Sequence, residues 1–481
     1  MKKIIAILIA SILFAPSCSA AETEVKLKPC SKSQLNKTKN GLECRLVNKL
    51  YRWYPVKQNV VIPSPVPTTN KQSAVDSYFQ DSCDIDPNVP EEWRVYQDFA
   101  FKNFQCARFY KYVNAPSQIS KLDSGITSIS QLSSPSYCKL ASVNSDRINP
   151  SISANIQIVP IEFTDRNSSS SPLTDYRKYF DFISDYYSNT ADVKYQIKFD
   201  VPQNYINIGK PYSSYNLKDS NQLREFMFES HKVSDQYINF SNADMTIIVL
   251  PLSVDPGSMM KFVSMLWINT NEKTIKNSYI SVPPVMTDKS SWFGVEPTLW
   301  VLEIAHFIGL PDRHGDDKPF FQGRAGAGSW GITGRIGSDF LMWDRWSASM
   351  INDSQIRCIT NKSNSSHWIT ASTIKGNHEK AVSIKINNNV AIFIESIRPY
   401  GYNYKLPKGS HGVLVYVVDV SANQHGAGVD VINKPGSPLY KNNFGFPNAT
   451  LQKGESLDIM GYRIVVKDSN SFGDLVEVIG L

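Results

Sequence analysis

The stretch from Leu302 to Asp312 carries residue types from which a zinc-hydrolase site can be built. In the pattern H-E-x-x-H, two histidines four residues apart on one helix face bind zinc. The glutamate between them removes a proton from a zinc-bound water. Here Glu303 and His306 stand at the second and last positions, but Leu302 stands where the first histidine belongs. The spacing therefore predicts a zinc-peptidase helix that lacks one metal ligand.

The residues after this helix offer candidate replacement ligands. Gly309 stands where the extended form H-E-x-x-H-x-x-G-x-x-(H/D) turns the chain back, and Asp312 stands at the third ligand position. His314 follows just beyond the turn, so a zinc set of His306, Asp312 and His314 is one hypothesis. The other is a solvated loop rich in Asp and Gly. Calcium is unsupported, because the carboxylates lack the spacing of a calcium loop.

The helix around Glu303 and His306 is apolar on nearly every side, a pattern typical of a buried helix. Polar side chains on a buried helix need partners. A hydrogen-bonded core pair is therefore an alternative to a metal site. In that case Glu303 would be a buried carboxylate with a raised pKa or a fixed partner.

Alternating strand and helix patterns precede this helix. Buried strands are expected at 156–163, 246–250 and 278–282, and a period-two strand at 193–201. Helices are expected at 173–187 and 221–233. Together with the Glu303 helix they predict an α/β domain over residues 151–360. A further helix is expected at 91–112, and a stiff linker at 62–67.

The last part of the chain changes to strand patterns. Strands are expected at 382–386, 390–394, 413–418 and 462–466, with turn residues between them. Short alternating strands separated by turns are typical of a β-sandwich. We therefore predict a C-terminal β-sandwich over residues 361–481.

The first residues predict export. Lys2 and Lys3 precede an apolar run and then small residues, so residues 1–21 are interpreted as a signal peptide. Cys18 also admits a lipid anchor, but the residues before it form a poor lipobox. The formal net charge of +6 is spread among interspersed acidic and basic residues. These features predict a secreted or periplasmic protein with no membrane span and no nucleic-acid partner.

Six cysteines remain beyond the signal peptide, at positions 30, 44, 83, 106, 138 and 358. An even number in an exported chain predicts disulfides. Five of them precede residue 139, so the N-terminal region, residues 22–150, is expected to be the disulfide-containing part. At least one of these five pairs with Cys358 or stays free. Whether this region is a pro-segment or an accessory domain is left open by its residues.

The segment E-x-x-H-x-x-G-L-P-D at 303–312 resembles the immune inhibitor A family of secreted bacterial metallopeptidases, which carries H-E-x-x-H-x-x-G-L-P-D. Residues 328–334 resemble a tryptophan-containing segment of that family that ends in Met-Gly. Residues 338–351 resemble its Trp-rich helix. Residues 393–398 and 412–419 are similar to its post-catalytic strands. The likeness runs from about residue 154 to the C-terminus.

The resemblance implies a zincin-like α/β (α+β) metallopeptidase domain with a zinc ligand at His306, a possible ligand at Asp312 and the general base at Glu303. Two positions depart from the family. Leu302 replaces the first ligand, and Thr333 stands where a methionine is expected beneath the metal. Three protein ligands are usual for catalytic zinc, so the first departure puts the chemistry in doubt.

Three hypotheses follow. The first is an exported relative of these peptidases with a degenerate zinc site and little or no peptidase activity, whose former cleft binds protein or peptide. The second is a working zinc endopeptidase that uses His306, Asp312 and His314 as ligands and Glu303 as base. The third is a structural or adhesive envelope protein based on the β-sandwich.

Overall fold

A computed structural model describes the following parts of the chain: residues 31–34, 38–39, 42–47, 50–55, 59–62, 113–114, 127–140, 153–255, 259, 267–281, 296–313, 326–334, 339–398, 401–403, 411–421, 428–435, 449–470 and 472–481. The chain forms two compact units, Met1–Lys57 and Gln58–Leu481. The predicted signal peptide, the predicted helix at 91–112, residues 63–67 of the predicted linker and His314 lie outside the described residues.

The first unit contains a small antiparallel sheet. Its strands, in the order β1-β2-β3, are β1 (Thr38–Lys39), β2 (Leu42–Val47) and β3 (Leu50–Pro55). A 3-10 helix, Lys32–Gln34, precedes them.

The second unit opens with a mixed sheet and its helices. In chain order these elements are β4 (Asn59–Ile62), β5 (Val113–Asn114), α1 (Pro135–Cys138), β6 (Ser153–Glu162), α2 (Pro172–Thr190), β7 (Gln196–Pro202), β8 (Ile206–Asn207), α3 (Ser220–Ser234), β9 (Met245–Val249), β10 (Ile268–Asn269), β11 (Thr274–Ile275), β12 (Ser278–Ile280) and α4 (Glu296–Ile308). The sheet order is β12-β9-β6-β7-β4, and β8 pairs with the end of β6. Strands β12, β9, β6 and β7 are parallel to their neighbours, whereas β4 is antiparallel to β7.

Helices cover both faces of this sheet, as a parallel sheet requires. One hydrophobic cluster joins α2 and α4 to one face through residues such as Ile156 and Ile247. A second cluster joins α3 to the other face through residues such as Val159 and Ile248. The predicted strands and helices of this α/β unit are therefore present, with bounds that differ by a few residues.

The remaining elements follow α4. They are α5 (Met342–Ser347), β13 (Ile356–Ile359), β14 (Ser365–Thr370), β15 (Ile374–Lys375), β16 (Ala381–Lys385), β17 (Val390–Ile397), β18 (Gly412–Asp419), β19 (Val429–Val431), β20 (Ser456–Ile459), β21 (Tyr462–Asn470) and β22 (Gly473–Gly480). Short 3-10 helices lie at Ile129–Gln131, Tyr212–Ser214, Gly328–Trp330, Asp353–Gln355 and Gly401–Asn403. The strands form a five-stranded sheet, β13-β16-β17-β18-β19, and a four-stranded sheet, β14-β22-β21-β20. Strand β15 pairs with β5.

The five-stranded sheet is buried on both faces. One face shares a hydrophobic cluster with the four-stranded sheet, to which Ile392 and Ile464 both belong. The other face packs on α5, where the ring of Trp343 lies 5.8 Å from that of Phe393. Since neither face is exposed, every residue of β17 and β18 is buried. Trp346 is also fully buried.

One disulfide lies within the described residues. It joins Cys138 in α1 to Cys358 in β13, with a Cα–Cα distance of 5.6 Å, and neither cysteine is exposed. Of the two alternatives left open for the five N-terminal cysteines, pairing with Cys358 is the one found for Cys138. None of the described helices is long and apolar enough to cross a membrane.

Candidate functional site

Helix α4 is buried on most sides, as its sequence predicts. Its apolar side chains from Leu299 to Ile308 all belong to the cluster shared with α2 and the sheet. Leu302 is 5% exposed and packs inside this cluster. The position of the missing first ligand is therefore filled by a hydrocarbon side chain that is part of the core.

A glycine turn ends α4 and brings the chain back toward His306. Gly309 has a φ of +111°, which residues with a Cβ rarely adopt. Its N–H donates to the carbonyl of His306 at 3.0 Å, and the N–H of Leu310 donates to the carbonyl of Ala305 at 2.9 Å. These are the two hydrogen bonds of a Schellman C-cap. The turn explains why a glycine is needed three residues after the histidine.

Both ring nitrogens of His306 have partners in this turn. Nδ1 lies 2.8 Å from the carbonyl oxygen of Leu310, and Nε2 lies 3.2 Å from Oδ1 of Asp312. A carbonyl and a carboxylate only accept hydrogen bonds, so both nitrogens must carry protons if both contacts are hydrogen bonds. His306 is then an imidazolium paired with Asp312.

The charges around His306 agree with a protonated ring. Burial acts to lower the pKa of His306. The hydrogen bond that its ring donates to Asp312, the charges of Glu303 and Asp312 and the carbonyl of Leu310 raise the pKa, and the net shift is upward. Burial also raises the pKa of Glu303 to about 7, with His306 opposing the shift and Asp312 adding to it. Glu303 is therefore divided between its charged and neutral forms near neutral pH.

The described donors fall short of a zinc site. Two ligands of one tetrahedral zinc with bonds of about 2.0–2.1 Å lie roughly 3.3 Å apart. The 3.2 Å between Nε2 of His306 and Oδ1 of Asp312 matches that separation. However, catalytic zinc normally has three protein ligands, and Leu302 supplies no donor atom. Within the described part of the chain, no group of three His, Cys, Asp or Glu side chains is placed to hold a metal.

Thr333, which stands where the resemblance implies a methionine, makes a polar contact that methionine could not make. Its hydroxyl donates to Oδ2 of Asp344 at 2.9 Å, and neither residue is exposed. The guanidinium of Arg313 donates to Oδ1 of the same carboxylate, with Nη2 at 3.2 Å. The backbone N–H of Arg313 also donates to the carbonyl of Thr333 at 2.7 Å. This buried cluster of Arg313, Thr333 and Asp344 holds the residue that directly follows Asp312.

The sequence analysis missed this cluster. Asp344 lies 31 positions from Arg313 and 11 from Thr333, so no local spacing connects the three. One signal in the sequence could have indicated the cluster. Asp344 is an acidic residue within the predicted Trp-rich helix, and a carboxylate that is buried there needs a cationic or hydroxyl partner.

His231, which the sequence analysis did not single out, is a core residue. Its Nδ1 lies 2.7 Å from the carbonyl oxygen of Met227, and its Nε2 lies 2.8 Å from the hydroxyl of Thr246. Since the carbonyl must accept, the proton of the neutral ring is on Nδ1 and the Thr246 hydroxyl donates to Nε2. Burial lowers the pKa of His231 to about 4, so the ring stays neutral. Its bonds join α3 to β9.

Comparison with known proteins finds no protein-family model that matches this chain and no curated protein that resembles it. The case for its function therefore depends on the motif residues and their geometry.

Proposed function

We propose that this protein is an exported relative of the immune inhibitor A-type zinc metallopeptidases whose peptidase activity is impaired or lost. The former substrate cleft then serves to bind a protein or peptide. Two architectural features support this proposal. A mostly parallel sheet with helices on both faces precedes the helix that carries Glu303 and His306. Two C-terminal sheets share a hydrophobic core, which the proposed β-sandwich requires.

The burial of Leu302 carries the proposal. A ligand at this position would point from the same helix face as His306, one turn earlier. Instead the leucine side chain is 5% exposed and belongs to the core cluster of α4. Because leucine has no donor atom, no movement of this side chain can supply a metal ligand.

The pairing of His306 with Asp312 gives a second argument. In a zinc site, Nε2 of His306 would be free of its proton, while Nδ1 would keep its hydrogen bond to the carbonyl of Leu310. In the structure, the negative charge of Asp312 favours the protonated ring. The ion pair thus satisfies the two former metal-binding groups without a metal.

Without a bound metal, Glu303 has no activated water to deprotonate. A peptide bond is not attacked at a useful rate by water without such activation, and a lone carboxylate is too weak a catalyst to replace it. The described residues therefore do not complete a hydrolytic site. Both N–H groups of His306 are already paired, with the Leu310 carbonyl and the Asp312 carboxylate, so Glu303 is the group left to hydrogen-bond a bound peptide.

A working zinc endopeptidase is the second candidate, and one observation favours it. The donor separation of 3.2 Å fits two ligands of one zinc. In this case His306 and Asp312 would hold the metal together with His314. Zinc would supply an acidified water, and Glu303 would accept its proton.

Metal analysis of the mature protein separates the two candidates. The protein is incubated with zinc, dialysed and analysed for bound metal, alongside a His306→Ala variant and a His411→Ala control at an exposed histidine. We expect no tightly bound zinc in any of the three. About one zinc per chain in the protein and the control, lost in His306→Ala, would replace this proposal with the endopeptidase. Hydrolysis of a generic protein substrate, compared with Glu303→Gln, would then measure the activity.

A further inference from the structure

The segment Thr127–Leu140 comes directly before strand β6 of the α/β unit in sequence, yet it is attached to the C-terminal sheets. Backbone hydrogen bonds join Thr127 to Ser366 at 2.9 Å and Ser133 to Cys358 at 3.2 Å. The hydroxyl of Ser133 also lies 2.5 Å from that of Thr360. These contacts run along β13 and the start of β14.

The C-terminal end of this segment is more deeply buried than its start. Cys138 is not exposed and forms the disulfide with Cys358, 220 positions later. Beside it, the ammonium of Lys139 lies 5.3 Å above the ring of Trp346 and 3.4 Å from the carboxylate of Asp353. Leu140 is 6% exposed and belongs to the same cluster as α5.

Two upstream strands pair through their backbones with strands that follow later in the chain. Strand β4 pairs with β7 over four residue positions, from Asn59 opposite Pro202 to Ile62 opposite Phe199. Strand β5 pairs with β15, with Val113 opposite Ile374. Parts of residues 58–140 therefore complete the edge of the α/β sheet and the core of the C-terminal sheets.

We propose that the segment Thr127–Leu140, together with the paired strands β4 and β5 that precede it, is a permanent part of the mature protein and not a removable pro-segment. A cut between Leu140 and Ser153 would produce two chains joined by the Cys138–Cys358 disulfide, not a shortened protein. Proteolytic removal of the region is therefore not a route by which the site near His306 is exposed. This inference concerns maturation, and it stands whether or not the site binds zinc.

The first experiment measures the intact mass of the exported protein before and after reduction in denaturant. We expect residues upstream of Leu140 in the product, either within one chain or as a second chain that appears only after reduction. A folded exported product that begins after Leu140, with no disulfide-linked partner, would overturn the proposal.

The second experiment uses the full chain with a recognition sequence for a site-specific protease inserted between residues 145 and 146. Cleavage is verified on a reducing denaturing gel. We expect one full-size band without reductant, and an unfolding midpoint close to that of the uncut protein. Release of the N-terminal fragment without reductant would contradict the proposal.

A double variant, Cys138→Ser with Cys358→Ser, tests the non-covalent contacts in the same cut protein. We expect the two fragments to elute together in native buffer and to separate in denaturant. Separation in native buffer would show that the strand pairings do not hold the two fragments together. In that case only the disulfide would keep the N-terminal fragment attached. Should the double variant not fold, the cut protein with its native cysteines still decides the question.

Discussion

The imidazole of His306 lies 3.2 Å from the carboxylate of Asp312, a distance that suits both an ion pair and two ligands of one zinc ion. What distinguishes these two states is the helix position one turn earlier, where Leu302 is buried in the core.

Leu302→His should raise zinc affinity. The substitution adds a third donor one turn before His306, while Asp312 already lies at the right separation. We expect about one zinc per chain after dialysis, measured by elemental analysis. The stability cost should resemble that of other core substitutions, on the order of 2–5 kcal/mol in urea unfolding.

The matched control for this prediction is Leu302→Ala. It removes the same core side chain but adds no donor, so it should lose stability and bind no zinc. Equal zinc binding by the two variants would show that zinc binds because of the space opened near His306 and not because of a third ligand.

Asp312→Asn should destabilise the protein only at acidic to neutral pH. The pKa of His306 is raised in the folded state, so the stabilisation by its partner is fully present below the unfolded value of about 6.5 and is lost as pH rises through the folded value. Since the Asp312 side chain is 34% exposed, we expect a loss of about 1 kcal/mol or less.

Urea unfolding of the protein and the Asp312→Asn variant across pH 5–9 measures this difference. The two curves should converge as the pH rises. A constant gap up to pH 9 would argue that Asp312 stabilises the turn independently of the charge on His306.

Thr333→Val should cost about 1–3 kcal/mol of folding free energy, because it leaves Oδ2 of the buried Asp344 without the hydroxyl at 2.9 Å. The control is Thr373→Val. The Thr373 hydroxyl is buried and has no hydrogen-bond partner among the described residues, so this change should be neutral or stabilising. Equal losses for the two variants in urea unfolding would mean that the contact between Thr333 and Asp344 contributes nothing specific.

Glu395→Gln should remove a pH dependence of stability. Glu395 accepts hydrogen bonds from the Tyr416 hydroxyl at 2.9 Å and the Met342 N–H at 3.1 Å, and its burial raises its pKa to about 7. A carboxyl with a raised pKa binds its proton more tightly when folded. Stability therefore falls as pH rises from the unfolded value, about 4.5, to about 7, and is level above that.

The slope from this one group should be at most about 1.4 kcal/mol per pH unit. Urea unfolding between pH 4.5 and 8 measures it as the difference between the protein and the variant. A difference that does not change with pH would show that Glu395 is ionised in the fold across this whole range.

The sequence predicts most of the secondary structure near the site because each element has a strong local pattern. The alternation before Val201 and the helical spacing from Leu173 to Tyr187 correspond to β7 and α2. The Trp-rich helix, Met342–Ser347, is shorter than expected. From residue 348 the chain turns toward the residues that follow α2, where the carbonyl of Met350 accepts from the N–H of Asp192 at 2.9 Å.

The features that the sequence did not reveal depend on contacts between distant residues. The antiparallel addition of β4 to β7 and the parallel pairing of β13 with β16 have no local signature. The same holds for the partner of Cys358, which periodicity cannot select from five candidates. At the site, Gly309 predicts the turn after the helix. The contact between His306 and Asp312 depends on the path by which that turn returns toward the helix, and the sequence does not give this path.

The five-stranded C-terminal sheet has a consequence for the evolution of this protein. In an antiparallel sheet with one face in solvent, alternate side chains are exposed and can vary with little effect. In β17 and β18 every side chain is buried, because one face packs on the four-stranded sheet and the other on α5. A substitution at any of these positions changes one of two cores. These two strands should therefore accept fewer replacements over time than the half-exposed strand β20, even if the site near His306 has been released from catalytic selection.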